Sequence, residues 1–108
     1  MNKYTIKSKY GEPMVAFVRW GQFWDGTPGL WAETEYGPES LSVNLTGFAL
    51  EAPDGHVYVR NYSEHEGLPE ALMEAGVATK VAQVWFGPFG ANAWLMEVNA
   101  DINNTKER

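Results

Sequence analysis

The stretch Asn61-Tyr-Ser-Glu-His-Glu-Gly-Leu-Pro-Glu-Ala-Leu-Met-Glu-Ala-Gly76 decides the fold, because it has helical periodicity in a chain that otherwise alternates like strands. Its predicted apolar side consists of Leu68, Ala71, Leu72 and Ala75, and its polar side of Glu66, Glu70 and Glu74. A helix with one apolar stripe must bury that stripe against another element. We therefore expect one amphipathic helix to cover one face of a sheet.

Residues with known end preferences mark where this helix begins and ends. Ser63 and Glu66 have the spacing of a capping box, and Gly76 suits the left-handed position after a helix. Pro69 fits a first helical turn but would clash inside a helix that began at Ser63. We predict a capped turn followed by a short helix from about Leu68.

Alternating or apolar segments on both sides of the helix predict strands. They cover residues 3–10, 14–20, 30–36, 41–45, 56–60, 77–86 and 93–98. The clearest alternation lies in 41–45, whereas 14–20 is apolar on both faces and is predicted to be central and covered on both sides. The expected fold is α+β, a curled antiparallel sheet of about six to seven strands packed by one short helix. Residues 1–98 would form one domain and 99–108 a flexible tail.

Composition limits the class of protein. The chain has 108 residues, enough for one modest core, and fifteen of them are Phe, Trp or Tyr. It has no Cys, which excludes disulfides, thiolate metal sites and Cys nucleophiles and fits a reducing cytoplasm. No apolar run reaches membrane-spanning length. We predict a cytoplasmic protein without membrane contact.

The net charge of −6 is unevenly distributed. Residues 21–78 contain ten acidic residues against Arg60 alone, a net charge of −9. Direct nucleic-acid binding is disfavoured, because neutralising phosphates requires Lys and Arg. One interpretation is an ordinary solvated surface, and the sharper one is a patch for a protein partner with a basic surface. The acidic contacts we predict are Glu33, Glu35, Glu64, Glu66, Glu70 and Glu74.

The loop at residues 21–29 carries two large aromatic residues, Phe23 and Trp24, among three glycines and a proline. Either these rings fold back and close one end of the core, or they form an exposed apolar patch. In the second interpretation Phe23 and Trp24 are apolar anchors for the partner.

Catalytic and metal chemistry have few candidates. Ser63 and His65 are near neighbours in sequence, but adjacent residues seldom point at one another, and an N-cap role explains Ser63. His56 and His65 have no recognised zinc spacing. The glycines lack Walker or Rossmann spacing. We predict no enzyme activity, no metal and no cofactor.

Three motifs follow one another from Leu41 onward. They are Leu41-Ser-Val-Asn-Leu45, Val57-Tyr-Val-Arg-Asn-Tyr-Ser-Glu-His-Glu-Gly67 and Leu72-Met-Glu-Ala-Gly76, before a Phe-Gly-rich turn and a closing apolar strand. The chain resembles a small domain family of unknown function that is found on conjugative elements and phages of bacteria. The resemblance covers roughly residues 30 to 98. This chain departs from the family by His65, where Asn is usual, and by Pro69. The resemblance implies no activity.

These observations lead to two functional hypotheses. The first is a non-catalytic acidic protein of a mobile element or phage that inhibits a host defence system, of the anti-CRISPR or antirestriction type, with a charge pattern that imitates nucleic acid. The second is a small-ligand-binding domain with an aromatic pocket bounded by Trp20, Trp31, Trp85 and Trp94. Neither hypothesis specifies the oligomeric state.

Overall fold

The computed structural model describes residues 3–7, 9 and 12–103. They form seven strands, two short α-helices and two 3₁₀ turns. The strands are β1 (Lys3–Ile6), β2 (Met14–Gln22), β3 (Pro28–Thr34), β4 (Gly37–Ser40), β5 (His56–Arg60), β6 (Ala78–Phe86) and β7 (Ala91–Val98). The helices are α1 (Leu68–Glu74) and α2 (Ala100–Asn103), and the 3₁₀ turns are Thr46–Phe48 and Ser63–His65. The α+β class is confirmed.

The strands form two antiparallel sheets rather than one curled sheet. Sheet 1 has the order β1-β2-β3-β4 and sheet 2 the order β5-β7-β6. The prediction of a single sheet of six to seven strands is therefore wrong. The predicted hairpin at the C-terminal end of the domain is present as β6 and β7, and it forms sheet 2 together with β5.

The segment from Leu41 to Leu45 explains why the sheet divides. It was predicted as the clearest strand, but it crosses from one sheet to the other. The Leu41 N–H donates to the Leu30 carbonyl in β3 (2.8 Å), and the Val43 N–H donates to the Tyr58 carbonyl in β5 (2.9 Å). The segment's alternation instead reflects two apolar environments, since Leu41 lies in the main core and Leu45 in a second, smaller cluster.

The main core is shared by both sheets and α1. Its members from sheet 1 include Ile6, Ala16, Val18, Trp20, Leu30 and Ala32, and those from sheet 2 include Val57, Val59, Ala78, Met96 and Val98. The predicted helical stripe contributes Leu68, Ala71 and Leu72, and Ala75 packs against it. The predicted apolar stripe is therefore confirmed. On the opposite side of the segment, Glu66, Glu70 and Glu74 are exposed, as predicted.

Helix α1 begins at Leu68, as predicted, but its cap differs from the prediction. Ser63 opens a 3₁₀ turn, and no side-chain hydrogen bond caps that turn or α1. Gly67 has φ of 86° and is the N-cap, and its N–H donates to Asn61 Oδ1 (2.8 Å). The capping-box prediction for Ser63 and Glu66 is wrong, because Ser63 has a left-handed φ of 54° and the Glu66 N–H donates to the Ser63 backbone carbonyl (3.1 Å) rather than to its hydroxyl.

The C-terminal end of α1 follows the predicted glycine signal. Gly76 has φ of 79°, a left-handed conformation that glycine adopts without steric cost. The Gly76 N–H donates to the Met73 carbonyl (3.1 Å) and the Val77 N–H to the Leu72 carbonyl (2.9 Å). This is the Schellman arrangement, in which two otherwise unpaired helix carbonyls are satisfied.

Strand β2 lies between β1 and β3, which confirms its central position. Its inner side chains, such as Val18, are buried in the core. On the opposite face Val15 is exposed and Phe17 is half-buried. The prediction that β2 is covered on both faces is wrong, because sheet 2 and α1 share the core on the inner side and leave the outer side open.

The predicted first strand and tail both differ from the structure. β1 ends at Ile6, while Ser8 and Tyr10 of the predicted strand lie outside the described residues. In the predicted tail, Ile102 of α2 is only 2 % exposed, and Asn103 Oδ1 accepts a hydrogen bond from Trp20 Nε1 (3.1 Å). Residues 99–103 are thus held against the core, and 104–108 lie outside the described part of the chain.

Candidate functional site

Four of the six predicted glutamates meet in one depression, which we call the acidic groove. It consists of two adjoining cavities of about 750 and 390 Å³. Among the described residues, its carboxylates are Glu12, Glu33, Glu35, Glu39, Glu64 and Glu66. Glu12 and Glu39 line both cavities and so join them. The groove brings together side chains that are separated by up to 54 positions in sequence.

The groove forms where strand ends of sheet 1 meet the 3₁₀ turn before α1. The β3–β4 hairpin supplies Glu33, Glu35 and Glu39. Glu39 pairs with Ala32, whose side chain faces the core, so Glu39 lies on the same side of the sheet as the turn carrying Glu64. The register of the β3–β4 hairpin therefore places Glu39 where its side chain lines both cavities.

The floor of the groove is apolar. Pro13, Met14, Val15 and Phe17 line the larger cavity, and the exposed ring of Tyr36 lies at its rim. An apolar floor between carboxylates is suited to long basic side chains, whose methylene stems cover apolar surface while their charged ends reach the acids.

Cations neutralise only part of the groove. Arg19 Nε lies 2.6 Å from Glu33 Oε1, and Lys9 Nζ lies 3.4 Å from Glu66 Oε2. The Lys9–Glu66 pair is exposed and the Arg19–Glu33 pair is half-buried, and exposed pairs typically contribute only about 0–1 kcal/mol to stability. Within the described part of the chain, Glu12, Glu35, Glu39 and Glu64 form no ion pair.

The other two predicted glutamates, Glu70 and Glu74, lie on α1 and outside the cavities of the groove. Glu70 forms an ion pair with Lys80 on β6, and the hydrogen bond from Lys80 lowers the pKa of Glu70 below its ordinary value. Lys80 Nζ also lies 4.5 Å from the centre of the Trp94 ring. The Glu70 carboxylate is therefore engaged in holding the helix to sheet 2.

The predicted aromatic anchors lie at the other end of sheet 1. Phe23 and Trp24 occupy the β2–β3 turn, and the seven-residue strand β3 separates this turn from the groove by roughly 20 Å. Phe23 packs against Trp31 on the outer face of the sheet, with ring centres 5.7 Å apart. Trp24 is 96 % exposed. The two aromatic residues therefore differ. Phe23 folds back onto the protein, as the core-closing interpretation expected, although onto the outer face of the sheet. Trp24 is exposed, as the interpretation of an apolar patch expected.

Asp25 fixes the turn that carries Trp24. Its carboxylate accepts hydrogen bonds from the Thr27 N–H (3.0 Å) and from Asn44 Nδ2 (2.9 Å). Hydrogen bonding by the Thr27 side chain, then by its backbone N–H and by the Asn44 side chain, lowers the pKa of Asp25 to about 2. The turn is therefore tied to the segment that links the two sheets.

The candidate catalytic and metal residues do not converge. His56 Nδ1 lies 2.9 Å from the Asp54 carbonyl oxygen at one end of β5, and His65 Nε2 lies 3.4 Å from Arg60 Nη2 beyond the other end. Among the described residues, no three His, Asp or Glu side chains are arranged to hold a metal ion. The predictions on catalysis, metals and cofactors stay predictions.

The four tryptophans of the alternative hypothesis lie on different surfaces. Trp20 is buried on the inner face of sheet 1, whereas Trp31 pairs with the neighbouring Arg19 and so lies on the outer face. Trp85 is 64 % exposed on β6, and Trp94 lies beneath Lys80. Because these four rings are spread over both faces of sheet 1 and over sheet 2, the arrangement does not favour one aromatic pocket at these positions.

Glu12 and Glu39 belong to the groove but were missed in the sequence. Each is an isolated acid beside a proline, in the sequences Glu12-Pro13 and Pro38-Glu39, where we read a turn or the end of a strand. Glu39 reaches the groove through the register of β3 with β4, and Glu12 reaches it through the course of the chain before β2. A signal was nevertheless present, since each lies next to a predicted strand end.

Comparison with known proteins adds no relative. No protein-family model, curated protein or solved structure matches the chain. The resemblance to a family of mobile elements therefore stays a prediction. Within the described residues, no helix has the length and apolar character needed to cross a bilayer. Function must be argued from the groove itself.

Proposed function

We propose that the chain is a non-catalytic binding protein whose acidic groove captures a basic segment of a protein partner. The single observation that carries this proposal is the meeting of six carboxylates around an apolar floor. Four of those carboxylates form no ion pair within the described part of the chain. Their charge is available to a partner.

The groove suits lysine and arginine better than it suits a simple cation. Arginine and lysine ends form strong charge-assisted hydrogen bonds with carboxylates, and their stems can lie on the exposed Val15, whereas Lys3 of the chain itself already lies over the Phe17 ring, with Nζ 5.3 Å from the ring centre. The exposed Tyr36 ring at the rim offers a face for a cation–π contact. Charge attraction would guide the basic segment to the groove and fix its position along the groove, while contact with the apolar floor adds affinity.

We further propose that the partner is a host defence protein and that the chain inhibits it on behalf of a mobile element or phage. Defence enzymes that act on nucleic acid carry basic surfaces, and a row of carboxylates can occupy such a surface in place of phosphates. The order of motifs between Leu41 and Gly76 supports the mobile-element origin, and the acidic groove supports the mode of inhibition.

The binding step is tested with a panel of short Lys- and Arg-rich peptides and two matched double variants. Glu12→Gln/Glu39→Gln removes two groove charges, whereas Glu51→Gln/Glu74→Gln removes two exposed charges outside it. We expect the groove variant to weaken peptide binding about tenfold and to reduce its salt dependence, because each exposed pair contributes up to about 1 kcal/mol. Equal weakening by both variants would mean that net charge alone attracts the peptides.

The biological step is tested in cells. Plasmid transformation or phage plating is measured in hosts with defined restriction or CRISPR systems, with and without the wild-type chain. We expect protection against at least one system, and loss of that protection in Glu12→Gln/Glu39→Gln but not in Glu51→Gln/Glu74→Gln. Absence of protection in every system, with peptide binding intact, would reject the defence-inhibitor role and leave the groove as a binding site.

A further inference from the structure

Strand β6 is a long edge of sheet 2. In the described part of the chain its pairing partner is β7 alone, so its other side presents unpaired backbone groups. It has nine residues, whereas the edge strands of sheet 1, β1 and β4, have four each. Long open edges are unusual because they invite pairing with another strand.

The hairpin that contains this edge is free of charge. Residues 81–96, which we call the uncharged hairpin, include no Asp, Glu, Lys, Arg or His in a chain with 22 charged residues. Val81 is 52 % exposed, and Trp85 and Phe89 are exposed as well. Burying such a surface against another protein requires no desolvation of charge.

The features that usually protect an edge lie at the start of β6. Lys80 is the single charged residue of the strand, and its ammonium group is turned onto Glu70 and Trp94. The register shift lies between Lys80 and Ala82, and from Ala82 to Phe86 the pairing with β7 is regular. Five consecutive residues therefore offer a regular, uncharged edge.

We propose that the segment Ala82–Phe86 pairs antiparallel with the same segment of a second copy of the chain, around a two-fold axis. Two copies with net charge −6 repel each other, and a contact through the uncharged hairpin brings no like charges together. Antiparallel pairing of identical strands is self-complementary, as a two-fold interface requires. A basic partner would find no carboxylate on this segment.

Single cysteines test the geometry, since the chain has none of its own. They are introduced in turn at Ala82, Gln83 and Val84, with Trp24→Cys as the control because Trp24 is highly exposed and lies in the β2–β3 turn of sheet 1, outside the uncharged hairpin. Opposed residues in antiparallel strands have Cβ atoms about 4.5–5.5 Å apart, close to the separation in a disulfide. In the proposed pairing Val84 lies on the two-fold axis and opposes Val84 of the second copy, so we expect Val84→Cys to form a cross-linked dimer about ten times faster than Ala82→Cys, Gln83→Cys or Trp24→Cys. Equal rates at all positions would overturn the proposal.

A charge at the edge tests the association itself. Trp85→Glu is expected to raise the dissociation constant of the dimer at least tenfold in sedimentation velocity, whereas Trp24→Glu leaves it unchanged. Trp85 is largely exposed, so both variants should fold, and circular dichroism checks this. A wild-type chain that sediments as a monomer at every attainable concentration, or a dimer that Trp85→Glu does not weaken, would reject the pairing. Neither result bears on peptide binding by the groove.

Discussion

The acidic groove and the uncharged hairpin are two open surfaces on one core, and they are built in different ways. The groove is assembled from strand ends and a 3₁₀ turn, and hydrogen bonds and ion pairs of single side chains hold its walls. The hairpin is a regular antiparallel ladder between β6 and β7. This small domain thus keeps its acidic groove separate from its longest edge strand, β6. Binding at the groove should weaken with salt, and pairing at the edge should not.

The largest expected effect comes from the core that both surfaces share. Leu72 is fully buried between α1 and the sheets, so Leu72→Ala should lower the free energy of unfolding by about 2–5 kcal/mol. Chemical denaturation measures this loss. Met73→Ala is the control, since Met73 is exposed and its loss should change stability by less than about 0.5 kcal/mol. If denaturation disrupts the groove and the hairpin at separate midpoints, the two surfaces do not share one cooperative core.

A smaller effect should distinguish the two surfaces. Asn61→Ala removes the acceptor for the Gly67 N–H, and an unsatisfied donor of this kind costs about 1–3 kcal/mol. Asn61→Ala also removes the hydrogen bond from Asn61 Nδ2 to Asn92 Oδ1 on β7 (3.1 Å), so amide hydrogen exchange should rise most in the turn at residues 63–67, which forms one wall of the groove, and less in β6 and β7. Asn61→Asp loses the same bond to Asn92 but retains the acceptor for the Gly67 N–H, so it serves as the control. Equal loss of protection in the hairpin would contradict the view that single side chains hold the groove.

The smallest effect concerns the β2–β3 turn, which lies apart from both surfaces. The folded-state pKa of Asp25 is about 2, below its ordinary value of 3.8, so its stabilising contribution is present above pH 3.8 and is lost as pH falls toward 2. Denaturation between pH 2 and 5 should show a shallower rise of stability with pH in Asp25→Ala than in the wild type. Parallel curves would show that this carboxylate is not hydrogen-bonded in solution.

Local signals predicted local structure. The start of α1 at Leu68 and its end before Gly76 depend on residues within the helix or next to it, and both predictions are confirmed. The same reasoning assigned the cap to Ser63, because residue spacing could not show that Ser63 would open a separate 3₁₀ turn in which the Glu66 N–H bonds to the Ser63 backbone carbonyl. Side-chain direction in a turn depends on the fold around it.

Alternation of apolar residues shows which side chains are buried, but it does not show which strand the segment pairs with. The residues from Leu41 to Leu45 alternate because their side chains meet two different apolar clusters, so a strand was predicted where a crossing occurs. Gly37 and Pro38 lie between the predicted strands 30–36 and 41–45, yet they begin β4, an edge strand where proline is tolerated. The division into two sheets was therefore missed.

The candidate site was predicted in part for the same reason. Charge distribution indicated an acidic region, and four of its glutamates line the groove, but sequence distance could not separate them from Glu70 and Glu74. Glu12 and Glu39 enter the groove through strand register and chain path. These are long-range properties that a single sequence does not display.

The crossing segment between the sheets has a consequence for any attempt to shorten the protein. Backbone hydrogen bonds at Leu41 and Val43 join this segment to both layers, and the groove takes its walls from residues as far apart as Lys3 and Leu68. Cutting the chain at the loop after it would separate strands that rely on the same interior. No half of the molecule can serve as a minimal binding fragment, and a peptide copied from the β3–β4 hairpin would carry the acids without the platform that spaces them.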